Sequence, residues 1–167
     1  STANARRALA RGAVEGEPRG AYAAMVAVHA LFLVAAPVEV LLLDRPFVPA
    51  LGWPMLALVV VAMALRYWAI ATLGERWNTR VIVIPGLAAV ASGPYRFVRH
   101  PNYVAVAIEV AVLPLVHCAW ITALVATAAN ALLLAARIRH EERALESAGD
   151  YRATLAGRPR LLPWGGE

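Results

Sequence analysis

Long apolar segments constrain this fold more than any other feature of the sequence. Residues 21–43 and 51–73 are each long enough to cross a membrane, because a spanning helix needs about 20 apolar residues for a core of about 30 Å. A third apolar stretch, residues 103–136, is too long for one helix, and we predict a helical hairpin that turns near residues 113–120. Each arm of about 16 residues rises only about 24 Å, so we expect a tilted or incomplete crossing. The sequence therefore predicts an all-α, polytopic membrane bundle with four visible spans.

The composition excludes several other classes of protein. The chain has 167 residues, is 60% hydrophobic and has a mean hydropathy of +0.59. A soluble helical bundle of this size would expose much of that apolar surface to water. The net charge of +5 does not indicate nucleic-acid binding, since the arginines lie at the ends of apolar segments and form no stripe. The single cysteine, Cys118, excludes an intrachain disulfide and a Cys-x-x-Cys metal site, and we predict no metal.

The distribution of arginine predicts how the chain is oriented in the membrane. All 16 basic residues are arginines. Four crossings would place residues 1–20, 74–102 and 137–167 on one side, and these regions hold all of them except Arg45 and Arg66. Because positive residues stay in the cytoplasm, we predict that both ends face the cytosol. Exclusive use of arginine with abundant alanine is typical of a GC-rich bacterial genome, which predicts a bacterial cell membrane.

Polar residues inside the spans are costly and usually functional. His29, Arg66, Glu109 and Asn130 each lie six to eight residues from the cytosolic end of their predicted helix, or roughly 10 Å deep. They could satisfy one another, with Arg66 pairing Glu109 and Asn130 bridging helices, or they could form the wall of a pocket for the polar head of a lipophilic substrate. Glu39 is deeper, and the sequence does not explain it.

The segment "SGPYRFVRHPNY", residues 92–103, is cationic and aromatic between two apolar stretches. Pro101 pushes His100 out of helical geometry, and a helix that begins there presents free N–H groups and its positive dipole end to anions. We expect an anionic group and a flat ring to bind here, and the alternative is contact with phospholipid headgroups. Arg96 and Arg99 would contact the anion or the headgroups, and Tyr95 and Tyr103 would cover the ring.

The loop after the second span could contact a substrate. Trp68 and Trp77 are amphipathic rings that suit the membrane interface, so simple anchoring is one interpretation. Asn78 and Arg80 lie where a substrate would enter, which makes direct contact the other interpretation.

The C-terminal segment offers acidic groups. Residues 136–148 are predicted to form a helix that leaves the membrane. Arg137 and Glu141 are four residues apart and can pair, whereas Glu141 and Glu142 point in different directions. One glutamate can therefore stay solvated while the other faces the bundle and holds an ammonium group. The alternative is a solvated run of charges.

These two cytosolic segments match the chemistry of S-adenosylmethionine. One offers cations, helix N–H groups and aromatic rings, and the other offers a pair of carboxylates. S-adenosylmethionine carries an α-carboxylate, an α-ammonium, an adenine and a sulfonium. NADPH would also use cations and aromatic rings, but it has less use for paired glutamates. An NADPH-dependent membrane reductase and a catalytically silent membrane protein are the alternatives.

Three features occur in order along the chain: the segment "GPYRFVRHPNY", a short hairpin, and then "RIRHEERAL…GDYRATLAGRPRLLPW". Together they resemble the isoprenylcysteine carboxyl methyltransferase family over about residues 74–163. The family pattern is G-x-Y-x-x-x-R-H-P-x-Y followed by R-x-x-x-E-E-x-x-L. Membrane sterol reductases carry a similar segment, but they usually continue with Gly-Glu where this chain has Val-Ala-Val. The resemblance implies an S-adenosylmethionine pocket between the hairpin and the C-terminal helix. The implied lining residues are Tyr95, His100, Tyr103, Arg139, Glu141 and Glu142.

The resemblance also bears on the substrate and on the start of the chain. Many family members have an additional N-terminal span, and a start at Ser1 with a polar segment over residues 1–20 fits a chain that has lost one. The stretch "LRYWAIATLGERWNTRVIVIPG" resembles bacterial members found beside type III polyketide synthases. That resemblance implies O-methylation of alkylresorcinols or alkylpyrones and a functional link to such a synthase. Eukaryotic members methylate a prenylated cysteine, which is the alternative acceptor.

We therefore predict one membrane methyltransferase domain over residues 1–167, with a lipophilic phenol, pyrone or carboxylate as acceptor. Arg66 and Arg80 are the candidates for holding the acceptor anion, and His100 is a weaker candidate base. Arg99 joins the predicted cofactor-binding residues. The predicted substrate-binding residues are His29, Trp68, Trp77, Asn78, Glu109 and Asn130.

Overall fold

Helices form most of the chain in the computed structural model, which describes residues 2–161. In chain order the helices are α1 (Thr2–Ala10), α2 (Arg19–Leu42), α3 (Pro49–Leu73), α4 (Pro101–Val112), α5 (Trp120–Ala148) and α6 (Tyr151–Leu155). Two very short strands, β1 (Val14–Glu15) and β2 (Ile82–Val83), pair antiparallel. The predicted all-α bundle is confirmed for the described residues.

The helices α2, α3 and α5 are each long and apolar enough to cross a membrane. The first two begin two residues before the predicted spans and end within a residue of them. Their outer faces expose large apolar side chains such as Leu31, Val60 and Leu124, an arrangement that suits lipid and not water. The protein is therefore an integral membrane protein.

The predicted hairpin is present, but its first arm is short. Helix α4 holds 12 residues and rises about 18 Å, so within residues 2–161 only three of the four predicted spans reach full length. Pro114 opens a 3-10 turn directly after α4, and Cys118 then takes a left-handed conformation with φ 56° before α5 begins. The chain is thereby reversed beside the loop between α2 and α3, where the ring of His117 lies 5.3 Å from that of Phe47. Helix α5 has 29 residues and includes the segment predicted to leave the membrane.

The helix packing leaves a gap between α2 and α3. Helix α3 packs against α4, and α2 and α4 both pack against α5, whereas α2 and α3 hardly touch. Ala62 and Ala69 of α3 and Ala105 of α4 have no exposed surface, and such small residues let helices approach closely. We call the end of the bundle where α2 begins and α3 ends the loop end.

The structure gives Glu39 a role that the sequence did not reveal. Its carboxylate accepts hydrogen bonds from the backbone N–H groups of Ile121 at 3.2 Å and Thr122 at 2.7 Å, so it caps the N-terminus of α5 from another helix. Arg45 Nη2 lies 3.0 Å from the same carboxylate. Free N–H groups at a helix start need such partners where water is scarce.

Replacing Glu39 by glutamine is expected to lower the free energy of unfolding by about 1–2 kcal/mol, because a charged cap is lost. The measurement is the unfolding midpoint of the purified protein in detergent. Asp44→Asn is the matched control, since Asp44 is exposed and asparagine tolerates its positive φ. Equal midpoints for the two variants would contradict the capping role.

Residues 2–17, which we call the N-terminal strap, cover part of the loop end. Strand β1 pairs with β2, with Val14 opposite Val83 and Glu15 opposite Ile82. In α1, Asn4 Nδ2 donates to the backbone oxygen of Trp77 at 2.9 Å. The strap is therefore tied to the loop that follows α3.

Candidate active site

A cavity of about 590 Å³ opens in the loop end of the bundle. Its walls come from α2, the end of α3, the loop over residues 76–90, the start of α4, the C-terminal part of α5, and α6. This volume lies within the range of about 300–1,000 Å³ that is usual for small-molecule sites. Along α2 the cavity reaches Leu33, about 21 Å from the start of that helix. It therefore joins the loop end to the apolar interior of the bundle.

The segment over residues 92–103 shapes one wall through two backbone features. Gly93 has φ 56°, and a Cβ there would overlap the side chain of Thr72, so the turn can pack against α3 only with glycine. His100 lies outside helical geometry before Pro101, with φ −127° and ψ 61°, as the sequence predicted. Its ring stacks on that of Tyr103, with centroids 5.4 Å apart.

Arg137, Tyr103 and Glu141 form a chain of hydrogen bonds along the cavity wall. Arg137 Nε donates to Tyr103 Oη at 2.8 Å, and Tyr103 Oη in turn donates to Glu141 Oε2. Arg137 Nη2 also donates to the backbone oxygen of Thr79. The expected pair of Arg137 with Glu141 is thus bridged by a tyrosine. We call this set the Arg137–Tyr103–Glu141 chain.

Glu142 is buried on the face of α5 next to that of Glu141, and four hydrogen-bond donors surround its carboxylate. Its side chain is 8% exposed, and it lies 3.2 Å from His100 Nε2 and 3.3 Å from Arg99 Nη1. Arg160 Nε lies 3.0 Å away, and Tyr151 Oη donates to Glu142 Oε1 at 3.4 Å. The two glutamates do point in different directions, as predicted, but the buried one is occupied by the protein itself.

The C-terminal segment is held to this carboxylate by the backbone as well. The N–H of Arg99 donates to the oxygen of Pro159 at 2.9 Å, and the N–H of His100 donates to the oxygen of Arg160 at 3.1 Å. Glu142 therefore anchors the segment that closes the cavity. The "LPW" part of the family resemblance, at residues 162–164, lies outside the described residues.

Two buried tyrosines on the cavity wall stay neutral. Burial raises the pKa of the Tyr95 phenol, and the nearby carboxylate of Glu141 raises it further. Burial also raises the pKa of Tyr151, with a further contribution from Glu142. Both hydroxyls therefore remain protonated near neutral pH, where they can donate hydrogen bonds but cannot act as bases.

Some polar residues inside the spans pair with one another, and some line the cavity. Arg66 pairs with Glu109, and it also lines the cavity together with His29. His29 Nδ1 lies 2.8 Å from the backbone oxygen of Met25 in its own helix. Asn130 is 2% exposed, and its Oδ1 has no hydrogen-bond partner among the described residues. The mutual pairing of Arg66 and Glu109 is confirmed.

The loop after α3 contributes a second paired arginine. Arg80 Nη1 lies 2.9 Å from Glu15 Oε1 in the strap. Asn78 lines the cavity, and its buried Oδ1 has no partner within residues 2–161. Trp77 also lines the cavity, whereas Trp68 is 46% exposed on the outside of α3.

The structure separates the predicted site residues into two groups. Those on the cavity wall are His29, Arg66, Trp77, Asn78, Arg80, Tyr95, Arg99, His100, Tyr103 and Glu141. Those away from it are Trp68, Glu109, Asn130, Arg139 and Glu142. Glu109 and Glu142 nevertheless contact wall residues directly, through Arg66 and through Arg99 and His100.

Arg139 is the clearest correction to the predicted pocket. Arg139 is exposed, whereas Arg137, two residues earlier, is buried and lines the cavity. A step of two residues turns a helix by about 200°, so the two arginines lie on opposite faces of α5. The arginine of the R-x-x-x-E-E pattern is Arg137, so the pattern alone would have predicted Arg137 instead of Arg139 on the cavity wall.

Other wall residues were missed because their position depends on tertiary contacts. Asn102, Asp150 and Tyr151 line the cavity, and the backbone N–H of Ala89 donates to Asp150 Oδ1 at 2.8 Å. This hydrogen bond lowers the pKa of Asp150. Within residues 2–161, no three His, Cys, Asp or Glu side chains are placed to hold a metal ion.

Comparison with known proteins identifies the family. The model of the isoprenylcysteine carboxyl methyltransferase family matches residues 55–147, which include the segment over residues 92–103 and the Arg137–Tyr103–Glu141 chain. The chain is 37% identical over 145 residues to the "uncharacterized protein YpbQ" of Bacillus subtilis strain 168, covering 86% of this chain and 84% of that protein. It is 32% identical over 140 residues to an "uncharacterized protein" of Haemophilus influenzae strain Rd, covering 82% of this chain and 79% of that one. The chain belongs to the isoprenylcysteine carboxyl methyltransferase family, and it is an integral-membrane methyltransferase.

Proposed function

We propose that this protein transfers a methyl group from S-adenosylmethionine to an oxygen of a lipophilic acceptor, such as a phenolic lipid, an alkylpyrone or a carboxylate. The observation that carries the proposal is the form of the cavity. One end is lined by charged and aromatic side chains of the loop end, and the other extends along apolar residues of α2 into the bundle. A polar donor and a lipophilic acceptor could therefore meet inside it.

The residues at the loop end fit the donor that enzymes of this family use. The Glu141 carboxylate lines the cavity and can accept a hydrogen bond from an ammonium group. The rings of Tyr95, Tyr103 and Tyr151 offer surfaces for an adenine. When bound, S-adenosylmethionine supplies an electrophilic methyl group on its sulfonium.

The deeper part of the cavity fits the acceptor. Val26, Ala30 and Leu33 of α2 give it an apolar wall, and His29 and Arg66 place polar groups beside that wall. The Nε of Arg66 is buried without a partner in the described residues, although the guanidinium pairs with Glu109. We propose that the accessible part of this guanidinium, whose side chain is 30% exposed, holds the acceptor oxygen.

The protein's contribution to the reaction is mainly positioning. Well-oriented reactants gain about 7–11 kcal/mol over free encounter, and an acceptor hydroxyl must in addition lose its proton or have its oxyanion stabilised. His100 Nε2 is engaged with Glu142, and Arg80 is paired with Glu15. We therefore propose that His100 and Arg80 shape the site, and that Arg66 stabilises the acceptor oxyanion.

We further propose that the loop end faces the cytosol, where the donor is available. All but two of the 16 arginines lie in the segments at this end, as the positive-inside rule requires. A phosphatase fused to the C-terminus that is active outside the cell membrane would contradict this orientation. A functional link to a polyketide synthase remains part of the proposal for a phenolic acceptor.

The proposed function is tested by binding and then by turnover. We expect the detergent-purified protein to bind S-adenosylmethionine and S-adenosylhomocysteine in isothermal titration calorimetry, and to show no heat with NADPH. Transfer of a radiolabelled methyl group to a long-chain alkylresorcinol, an alkylpyrone or a farnesylated cysteine then identifies the acceptor. Binding of NADPH without binding of S-adenosylmethionine would overturn the proposal.

A further inference from the structure

Glu17 is a buried carboxylate in the N-terminal strap, outside the residues 55–147 that the family model matches. Its side chain is 2% exposed, and its Oε1 lies 3.6 Å from Nη1 of Arg137, whose side chain is 7% exposed. The other oxygen, Oε2, is buried without a hydrogen-bond partner among the described residues. A buried carboxylate is costly unless it is paired, and Arg137 is the cation that Glu17 faces.

Backbone packing brings Glu17 to this place. The N–H of Gly16 donates to the oxygen of Val81 at 3.0 Å, and a Cβ on Gly16 would lie 2.5 Å from Cβ of Ala144 in α5. Only glycine therefore allows the strap to approach α5 so closely. Ala144 lies about two turns after Arg137 on the same face of the helix, so this docking delivers the Glu17 carboxylate to the guanidinium.

The pair has a consequence for Glu141. Arg137 and Glu141 are four residues apart on α5, a spacing at which opposite charges can pair directly. In the structure they are bridged by Tyr103, and Glu141 remains on the cavity wall. Because Glu17 supplies a counter-charge to Arg137, the guanidinium need not draw Glu141 away from the cavity.

We propose that Glu17 is a positioning residue for methyl transfer. Its ion pair with Arg137 fixes the guanidinium, and through Tyr103 it holds the Glu141 carboxylate where the donor's ammonium group binds. The N-terminal strap thereby completes the binding site from outside the segment that defines the family. This inference rests on the proposed binding of S-adenosylmethionine in the cavity.

A double-mutant cycle tests the inference, with S-adenosylhomocysteine affinity measured by calorimetry in detergent. Glu17→Gln is expected to weaken binding by about tenfold. Tyr103→Phe removes the hydroxyl that links Arg137 to Glu141, so in that background Glu17→Gln should have little further effect. A purely structural role would lower the unfolding midpoint and leave the two effects on affinity additive. Additive effects, or unchanged affinity in Glu17→Gln, would overturn the inference.

Two further variants sharpen the test. Glu75→Gln breaks the exposed ion pair that also ties the strap to the loop through Arg7, and it should leave the affinity unchanged. If it weakened binding as much as Glu17→Gln does, strap docking would be the cause and the inference would fail. Should Glu17→Gln not fold, Glu17→Asp retains the charge one methylene further from Arg137 and enters the same cycle with the same two outcomes.

The result also distinguishes this inference from the proposed function. A wild-type protein that does not bind S-adenosylhomocysteine overturns the proposed function, and the inference with it. A wild-type protein that binds, with additive effects in the cycle, overturns the inference alone.

Discussion

Replacing Glu142 by alanine is expected to lower the free energy of unfolding by about 3–5 kcal/mol, the usual cost of breaking a buried charge pair from one side. The loss would leave the guanidinium groups of Arg99 and Arg160 close together without their common carboxylate. The backbone contacts of residues 159 and 160 with residues 99 and 100 would weaken as a result. Donor affinity should fall because the wall formed by this segment is no longer held.

The measurement is the unfolding midpoint in detergent, together with limited proteolysis of the C-terminal segment. Glu146→Ala is the matched control, because Glu146 lies one turn later on α5 and its ion pair with Arg152 is largely exposed, where such pairs contribute about 0–1 kcal/mol. A Glu142→Ala protein as stable as this control would show that the four donors around Glu142 do not depend on it.

Replacing Glu141 by alanine is expected to weaken donor binding more than it lowers stability. We expect S-adenosylmethionine affinity to fall by about 2–3 kcal/mol, roughly 30- to 150-fold, because a charged hydrogen-bond acceptor is removed from the binding site. Stability should change little, since Glu141 is only half-buried and Tyr103 keeps its hydrogen bond from Arg137.

The check is a calorimetric titration of the variant beside its unfolding midpoint. Glu146→Ala serves again, now as the control for loss of negative charge on α5, and it should bind as the wild type does. If Glu141→Ala bound the donor with wild-type affinity, the ammonium group would have to be held elsewhere, and the proposed arrangement of the donor would be wrong. The two adjacent glutamates thus predict different losses: Glu142→Ala lowers stability together with binding, whereas Glu141→Ala lowers binding with little change in stability.

Much of the membrane fold could be predicted from local sequence. The helices α2 and α3 agree with the predicted spans to within two residues, because length and apolar composition alone decide whether a helix suits a bilayer. The hairpin was predicted as well, since no single helix could contain residues 103–136. The short length of α4 was only partly foreseen, because it depends on where Pro114 ends the helix and on the left-handed Cys118 that follows.

The site could be predicted less completely, and the reason lies in partners that are distant in sequence. The pattern around residues 92–103 places Tyr95, His100 and Tyr103 on the cavity wall, since proline geometry and helix termini are local properties. The partners of the charged groups are not local. Glu39 caps a helix that begins 81 residues later, and Glu17 faces Arg137 from the other end of the chain.

The sequence by itself determined the class of protein, its membrane spans and the two segments that carry the family's pattern, because hydropathy, proline geometry and motif spacing act over a few neighbouring residues. Only the tertiary structure decided which charges remain on the cavity wall and which are neutralised within the protein. Adjacent residues on one helix face different surroundings, so Glu141 borders the cavity while Glu142 anchors the C-terminal segment. A buried charge takes its role from the partner that packing brings to it, and that partner lies far away in the sequence.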